Sequence, residues 1–151
     1  MASSTISPTK HKGGSFLIEP TSPEQLFSPE DFTDEHRAIA KTTDEFWQKE
    51  VVPNIDAIRH QDHALCAKIL KKSGELGLTA VVLPEKFGGM EMDWTSMMVV
   101  AEGLAREGSY SAWHGAHTGI GTLPLLLFGT EAQKQKYLPR LASVDMIAAY
   151  W

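Results

Sequence analysis

Ser109-Tyr110-Ser111-Ala112-Trp113-His114-Gly115-Ala116-His117-Thr118-Gly119-Ile120-Gly121-Thr122-Leu123-Pro124-Leu125-Leu126-Leu127-Phe128 is the stretch on which the fold turns. Its residues are small or apolar and only His114 and His117 ionise, so at helical period it shows no polar face. A helix of that kind is buried on most sides, which predicts a bundle wrapped around it. Gly115 and Gly119, four apart, fall on one face and admit a neighbouring backbone or a ligand, at about 1 kcal/mol each relative to alanine.

Working outward, Thr130-Glu131-Ala132-Gln133 is a capping box, and it predicts a last helix to about Leu138, where Pro139 breaks or restarts it. Upstream, Asp93 caps a helix with Met97, Ala101, Leu104 and Ala105 at helical spacing. An earlier amphipathic helix runs from about Ala64 to Leu76, with Leu65, Ile69, Leu70 and Leu76 on one side and Gly77 as its stop. Between these two, Leu78 to Leu83 is an extended connector closed by Pro84 and Gly88-Gly89. Ser28-Pro29-Glu30-Asp31 starts a first helix that carries Phe32, Ile39, Thr43 and Phe46 and stops near Val52, before Pro53. The expected fold class is all-α, a bundle of about five to six helices that ends at the first strand of a further β-domain. The expected organisation is a loose tail over 1–14, a helical domain over 15–142 and the start of that β-domain over 143–151, within which Met146 to Trp151 is apolar and strand-like.

Composition narrows the function classes. The 151 residues are 42% hydrophobic and 22% charged, with a formal net charge of −5 and a pI near 5.6. That balance argues for a folded domain and against a nucleic-acid or anionic-membrane surface, since either needs clustered Lys and Arg. The longest apolar run, Leu123 to Phe128, is far short of the roughly 20 residues that span a bilayer. The single cysteine, Cys66, makes no internal disulfide and reads as packing in a reducing compartment. The Ser- and Thr-rich start of the chain lacks the apolar stretch of a secretory signal, so a cytoplasmic setting is expected, with the mitochondrial matrix as the lesser alternative.

No constellation stands out as an active site. His114 and His117, three apart, both reach toward one point, but no carboxylate or cysteine completes a metal site, so the expectation is buried hydrogen-bonding histidines and no metal. Glu102 and Glu107 flanking Arg106 read as solvated ion pairs. Met90, Met92, Met97 and Met98 read as core filler. Gly115, Gly119 and Gly121 lack the Gly-x-Gly-x-x-Gly order of a dinucleotide loop.

Several blocks taken together are more specific: Ala64 to Leu83, Pro84-Glu85-Lys86-Phe87-Gly88-Gly89-Met90, His117-Thr118-Gly119-Ile120-Gly121-Thr122-Leu123-Pro124, and Phe128-Gly129-Thr130-Glu131-Ala132-Gln133-Lys134-Gln135-Lys136-Tyr137-Leu138-Pro139-Arg140-Leu141-Ala142. Their order and spacing resemble the N-terminal helical domain of the acyl-CoA dehydrogenases from roughly Ser28 onward. Gly13-Gly14-Ser15-Phe16-Leu17-Ile18-Glu19 further resembles bacterial long-chain members.

The resemblance implies a parent enzyme in which FAD takes a hydride from the β-carbon of a fatty acyl-CoA while a glutamate removes the α-proton. The product is a trans-2-enoyl-CoA, the electrons pass to an electron-transfer flavoprotein, and the parent is a homo-oligomer. It places Tyr150 and Trp151 at the approach to the flavin, and Ala112, Ala116 and Ile120 on the wall of the acyl-tail cavity. It places no catalytic residue in this chain, which alone is expected to be inactive. The small Ala116 implies a long-chain preference. Two other readings remain open: a non-catalytic helical interaction module that keeps the fold, and a carrier of acyl chains.

Overall fold

Two prolines set much of the helical layout in the computed structural model, which describes residues 14–149. A proline inside a helix removes one amide and presses its ring on the carbonyl four residues back. Pro53 and Pro124 are each preceded by a widened, π-helical stretch, Trp47–Val51 and Ala116–Thr122. The wider turn moves the backbone ahead of the ring out of register, so the chain bends instead of stopping. The helix expected to end near Val52 therefore continues as a bent rod: α1 (Asp34–Phe46), the π-turn, a 3₁₀ turn at Val52–Asn54 and α2 (Ile55–Arg59). The Asn54 side chain donates to the Glu50 carbonyl at 2.8 Å, taking up one acceptor in the disturbed turn.

The chain divides into two compact units, residues 1–34 and 35–151. In the first, the described residues carry three 3₁₀ turns, Ser15–Leu17, Pro23–Gln25 and Pro29–Asp31. Ser28 and Asp31 form a capping box as the sequence suggests, but the turn ends at once because Phe32 takes an extended conformation. The first helix starts at Asp34, not at Ser28. Phe27 and Phe32 face each other with ring centroids 6.0 Å apart.

The second unit continues with α3 (His63–Glu75), α4 (Trp94–Leu104), α5 (Gly108–Gly115), α6 (Leu123–Phe128) and α7 (Glu131–Ala142). Asp62 caps α3 through the Leu65 amide at 2.9 Å, and Gly77 ends it at φ +76°, which a side chain would strain. Residues 78–83 lie not in an extended connector but in tight turns. Asp93 caps α4: the Ser96 amide and hydroxyl both donate to it at 2.8 Å, and His36 Nε2 lies 3.0 Å from its carboxylate. Burial works to raise the Asp93 pKa, but Ser96 and His36 outweigh it and hold the carboxyl below its usual value.

Thr130 caps α7 as expected, yet α7 runs through Pro139 to Ala142. The amide that Pro139 lacks would have bonded the Gln135 carbonyl, and both residues are exposed, so the missing bond falls at the surface and not in the core. Ala80, Leu83, Phe87, Leu138, Leu141 and Ala142 form one buried core, with Leu125, Leu126 and Met146 packed against it. Among the described residues there is no strand. Residues 147–149 carry no regular structure, and Tyr150 and Trp151 lie outside the described residues.

Candidate functional site

α5, the π-turn and α6 form one continuous helix from Gly108 to Phe128, here the central helix, over the Ser109–Phe128 stretch expected to be helical. Its start is fixed by Glu107. This side chain accepts from the Tyr110 amide at 2.9 Å and meets Arg59 Nε at 3.3 Å, and its own exposure is only 6%. Burial works to raise its pKa, but the Tyr110 and Ser109 amides and the Arg59 guanidinium outweigh that and leave it lowered. Glu107 is therefore a buried cap, not half of a solvated pair with Arg106, which instead contacts Asp44 at 2.6 Å.

The inward face carries Tyr110, His114, His117 and Thr122, all buried. His117 uses both ring nitrogens. Nε2 donates to the Leu141 carbonyl at 3.0 Å, and Nδ1 accepts from the Ala148 amide at 3.2 Å, an arrangement that requires the neutral ring. Burial pushes its pKa down against the opposing pull of Leu141. Burial likewise pushes His114 down to about 4, with His117 beside it adding to the shift and the Leu78 backbone opposing it. Both histidines are buried, His117 with both ring nitrogens hydrogen-bonded and His114 with its Nε2 left without a partner among the described residues.

Gly121 lies against the Ala148 backbone so closely that a Cβ would come within 2.7 Å of it. Sequence reasoning assigned that close approach to Gly115 and Gly119. A Cβ on either of those meets nothing within 4 Å. They instead border a cavity of about 190 Å³ between residues 78–83, α4 and the central helix. Leu78, Val81, Leu83, Met97, Val100 and Leu104 are among the apolar residues of its walls. Met97 contributes there at half burial, whereas Met90 and Met98 are exposed and fill no core. Nothing in the sequence pattern marked this cavity, because its walls come from three separated segments.

The residues expected to line an acyl-tail cavity lie elsewhere. Ala112 and Ile120 are exposed and Ala116 is half-buried, at i, i+4 and i+8 on the outward side of the same helix. They share a face, and none of them lines the 190 Å³ cavity. Leu127 and Phe128 extend the exposed apolar surface at the end of α6.

A helical unit with a capped, π-widened central helix, a Pro-Glu-Lys-Phe-Gly-Gly turn beside it and an apolar outward face now has its match. The family model for "Acyl-CoA dehydrogenase, N-terminal domain" matches residues 33–145. The chain belongs to the acyl-CoA dehydrogenase family. It is 50% identical over 139 residues to a probable acyl-CoA dehydrogenase of Bacillus subtilis, covering 92% of this chain and 23% of that protein. A crystal structure of an acyl-CoA dehydrogenase complexed with FAD from Bacillus anthracis superposes with a TM-score of 0.88 at 46% identity, over 93% of this chain and 24% of that one. A structure titled as the electron transferring flavoprotein of Acidaminococcus fermentans matches with a TM-score of 0.68 at 28% identity, over 80% of this chain and 32% of that one. The chain thus spans about a quarter to a third of the length of these relatives.

The 190 Å³ cavity of this acyl-CoA dehydrogenase domain does not by itself fit a flavin dinucleotide. The enclosed cavity has no cationic side chain in its walls to meet a diphosphate, and its hydroxyls are spent on the protein's own carbonyls. No described helix is long and apolar enough to cross a membrane.

Proposed function

We propose that this chain supplies the N-terminal helical domain of an FAD-dependent enzyme that dehydrogenates a fatty acyl-CoA to the trans-2-enoyl-CoA. In this reading the domain spans 15–142, residues 143–151 lead toward the next domain, and Tyr150 and Trp151 approach the flavin. Its contribution is a wall. Ala112, Ala116 and Ile120 present a small, uncharged surface along which an acyl chain runs, and no carboxylate lines the cavity behind them to act as a base. The chain alone does not turn over. Electrons leave to an electron-transfer flavoprotein and the parent is a homo-oligomer. The relatives at 46–50% identity are Bacillus proteins, which favours the cytoplasm over the mitochondrial matrix.

The observation that carries the reading is the 50% identity to a probable acyl-CoA dehydrogenase across 92% of the chain. Replacing the matched segment of the Bacillus subtilis protein with residues 14–149 of this chain tests it. The chimera should bind FAD and reduce an electron-accepting dye when given a fatty acyl-CoA. A folded, FAD-loaded chimera that oxidises no acyl-CoA of any length would overturn the reading and favour a non-catalytic interaction module.

A further inference from the structure

We infer that His117 is a positioning residue: its Nδ1 holds the Ala148 amide and so fixes the course of the chain that leads, two residues on in the sequence, to Tyr150. What that course means for a flavin rests on the proposed function; the hold on Ala148 does not.

Residues 143–149 carry no helix or strand, yet they are tied down almost residue by residue. Thr79 donates to the Ala142 carbonyl at 3.0 Å, where α7 ends. Lys71 Nζ donates to the Ser143 carbonyl and to Asp145, each at 2.6 Å, and the Ser143 hydroxyl meets the same carboxylate at 2.8 Å. The Met146 amide donates to the Arg140 carbonyl at 3.0 Å. Between these ties Val144 turns the chain at φ +56°, a left-handed conformation that a β-branched residue resists. Val144 is buried against Gly74, where a Cβ would come within 2.6 Å of its side chain. Strain of this kind persists only where the surroundings over-determine it, and it points to a turn whose direction matters.

Past that turn Met146 and Ala148 pack against the core while Ile147 and Ala149 are exposed, the alternation of an extended chain. A slip of one residue would exchange the two sets. Two features of the central helix oppose it, and both act at Ala148. His117, 1% exposed, places Nδ1 3.2 Å from the Ala148 amide. Gly121, on the same side of the helix, leaves the space that the Ala148 backbone fills, since a Cβ would lie 2.7 Å from its carbonyl carbon and oxygen. His117 accepts there because its other nitrogen donates to the Leu141 carbonyl at 3.0 Å, which fixes the tautomer that leaves Nδ1 bare. One ring thus joins the central helix, α7 and the segment beyond α7.

The two nitrogens can be tested apart. An asparagine carries its oxygen near the place of Nδ1, and a glutamine carries its amide nitrogen near the place of Nε2. Hydrogen exchange of the Ala148 amide is followed by NMR in the full chain, and FAD affinity is measured by titration in the Bacillus chimera. His117→Gln should speed Ala148 exchange and weaken FAD binding, each about tenfold, the factor of one net hydrogen bond, while the thermal midpoint stays near the parent's. His117→Asn should do the reverse: the stranded Leu141 carbonyl lowers the thermal midpoint, and Ala148 exchange and FAD affinity are kept. Gly121→Ala, which presses on Ala148 with His117 unaltered, should repeat the glutamine pattern, so the result does not hang on one position. Gly119→Ala, whose Cβ meets nothing within 4 Å, should change neither reading. Ala148 exchange indifferent to both His117→Gln and Gly121→Ala would overturn the inference. So would an FAD affinity that follows the thermal midpoint across the variants instead of Ala148 exchange, because His117 would then be a core residue and nothing more. A chimera that holds FAD in the expected pattern and oxidises no acyl-CoA keeps the positioning role and removes the functional reading.

Discussion

The two sides of the central helix obey different physics although they share one run of twenty residues. Inward, Tyr110, His114, His117 and Thr122 are buried; both ring nitrogens of His117 and the Thr122 hydroxyl are matched to particular backbone groups, while the Tyr110 hydroxyl and His114 Nε2 are left without a hydrogen bond among the described residues. Outward, Ala112 and Ile120 are exposed and Ala116 is half-buried, with nothing polar to match. The first side is packed inside the domain and the second is left open. The contrast teaches that absence of a polar face does not imply burial on every side.

The sharpest way to break the contrast is acid. His114 is held down to about 4 by burial and by His117, and His117 is lowered by burial. In the unfolded chain both return to about 6.5. As the pH falls through that value the unfolded chain takes up protons that the folded chain refuses, so stability is complete above about 6.5 and is lost progressively toward 4. His114 alone should remove about 3 kcal/mol between pH 7.5 and 4, read from urea midpoints. The carboxylates Asp93 and Glu107, whose folded values are lowered, weaken the fold only below their ordinary range, so the histidine window stands apart from theirs. His114→Phe should flatten most of the slope between 6.5 and 4. An unchanged slope would place the acid sensitivity outside this helix.

A smaller effect is expected at the helix start. Glu107→Ala removes the acceptor for the Tyr110 amide and strands Arg59, at a cost of about 2 kcal/mol. Glu107→Gln keeps an acceptor oxygen and should restore part of the loss. Thermal midpoints of the two variants that match the parent chain would reduce Glu107 to the surface pair that its sequence neighbourhood suggested.

Much of the fold was legible because it is local. Asp93 and Thr130 announce helix starts through a side chain that bonds an amide three residues on, and Gly77 ends α3 in a backbone conformation that other residues resist. What the sequence concealed depends on neighbours far along the chain. Pro53 looked like a stop and Pro139 like a break or restart, and whether a helix stops or continues turns on how the neighbouring turns can shift. Glu107 beside Arg106 reads as solvated, and only the arrival of Arg59 and the fold around it shows it buried. Gly121, not Gly115 or Gly119, makes the close backbone approach, because Ala148 returns to that point from beyond α7. The cavity was invisible for the same reason: residues 78–83, α4 and the central helix each look ordinary until they enclose it. The exposure of Ala112 and Ile120 was not legible, since aliphatic residues at helical spacing in a run without a polar face otherwise mean core.

The smallest stability effect and the most specific functional one belong together on that outward face. Ala116→Leu and Ile120→Ser touch side chains that no buried polar group depends on, so each should move stability by no more than about 0.5 kcal/mol. In the Bacillus chimera, however, Ala116→Leu replaces a methyl by an isobutyl group where the acyl chain is proposed to run. Turnover of long acyl-CoA should fall at least tenfold relative to short, through KM more than kcat, because the change obstructs a bound tail rather than the reacting carbons. Ile120→Ser, which shortens the wall instead of filling it, should leave the short substrates unchanged and weaken the long ones only modestly. If Ala116→Leu costs stability as heavily as Glu107→Ala, the outward side is packed after all and the two faces are one. If it leaves both stability and chain-length profile untouched, the face is solvent surface, and the acyl chain must be sought elsewhere.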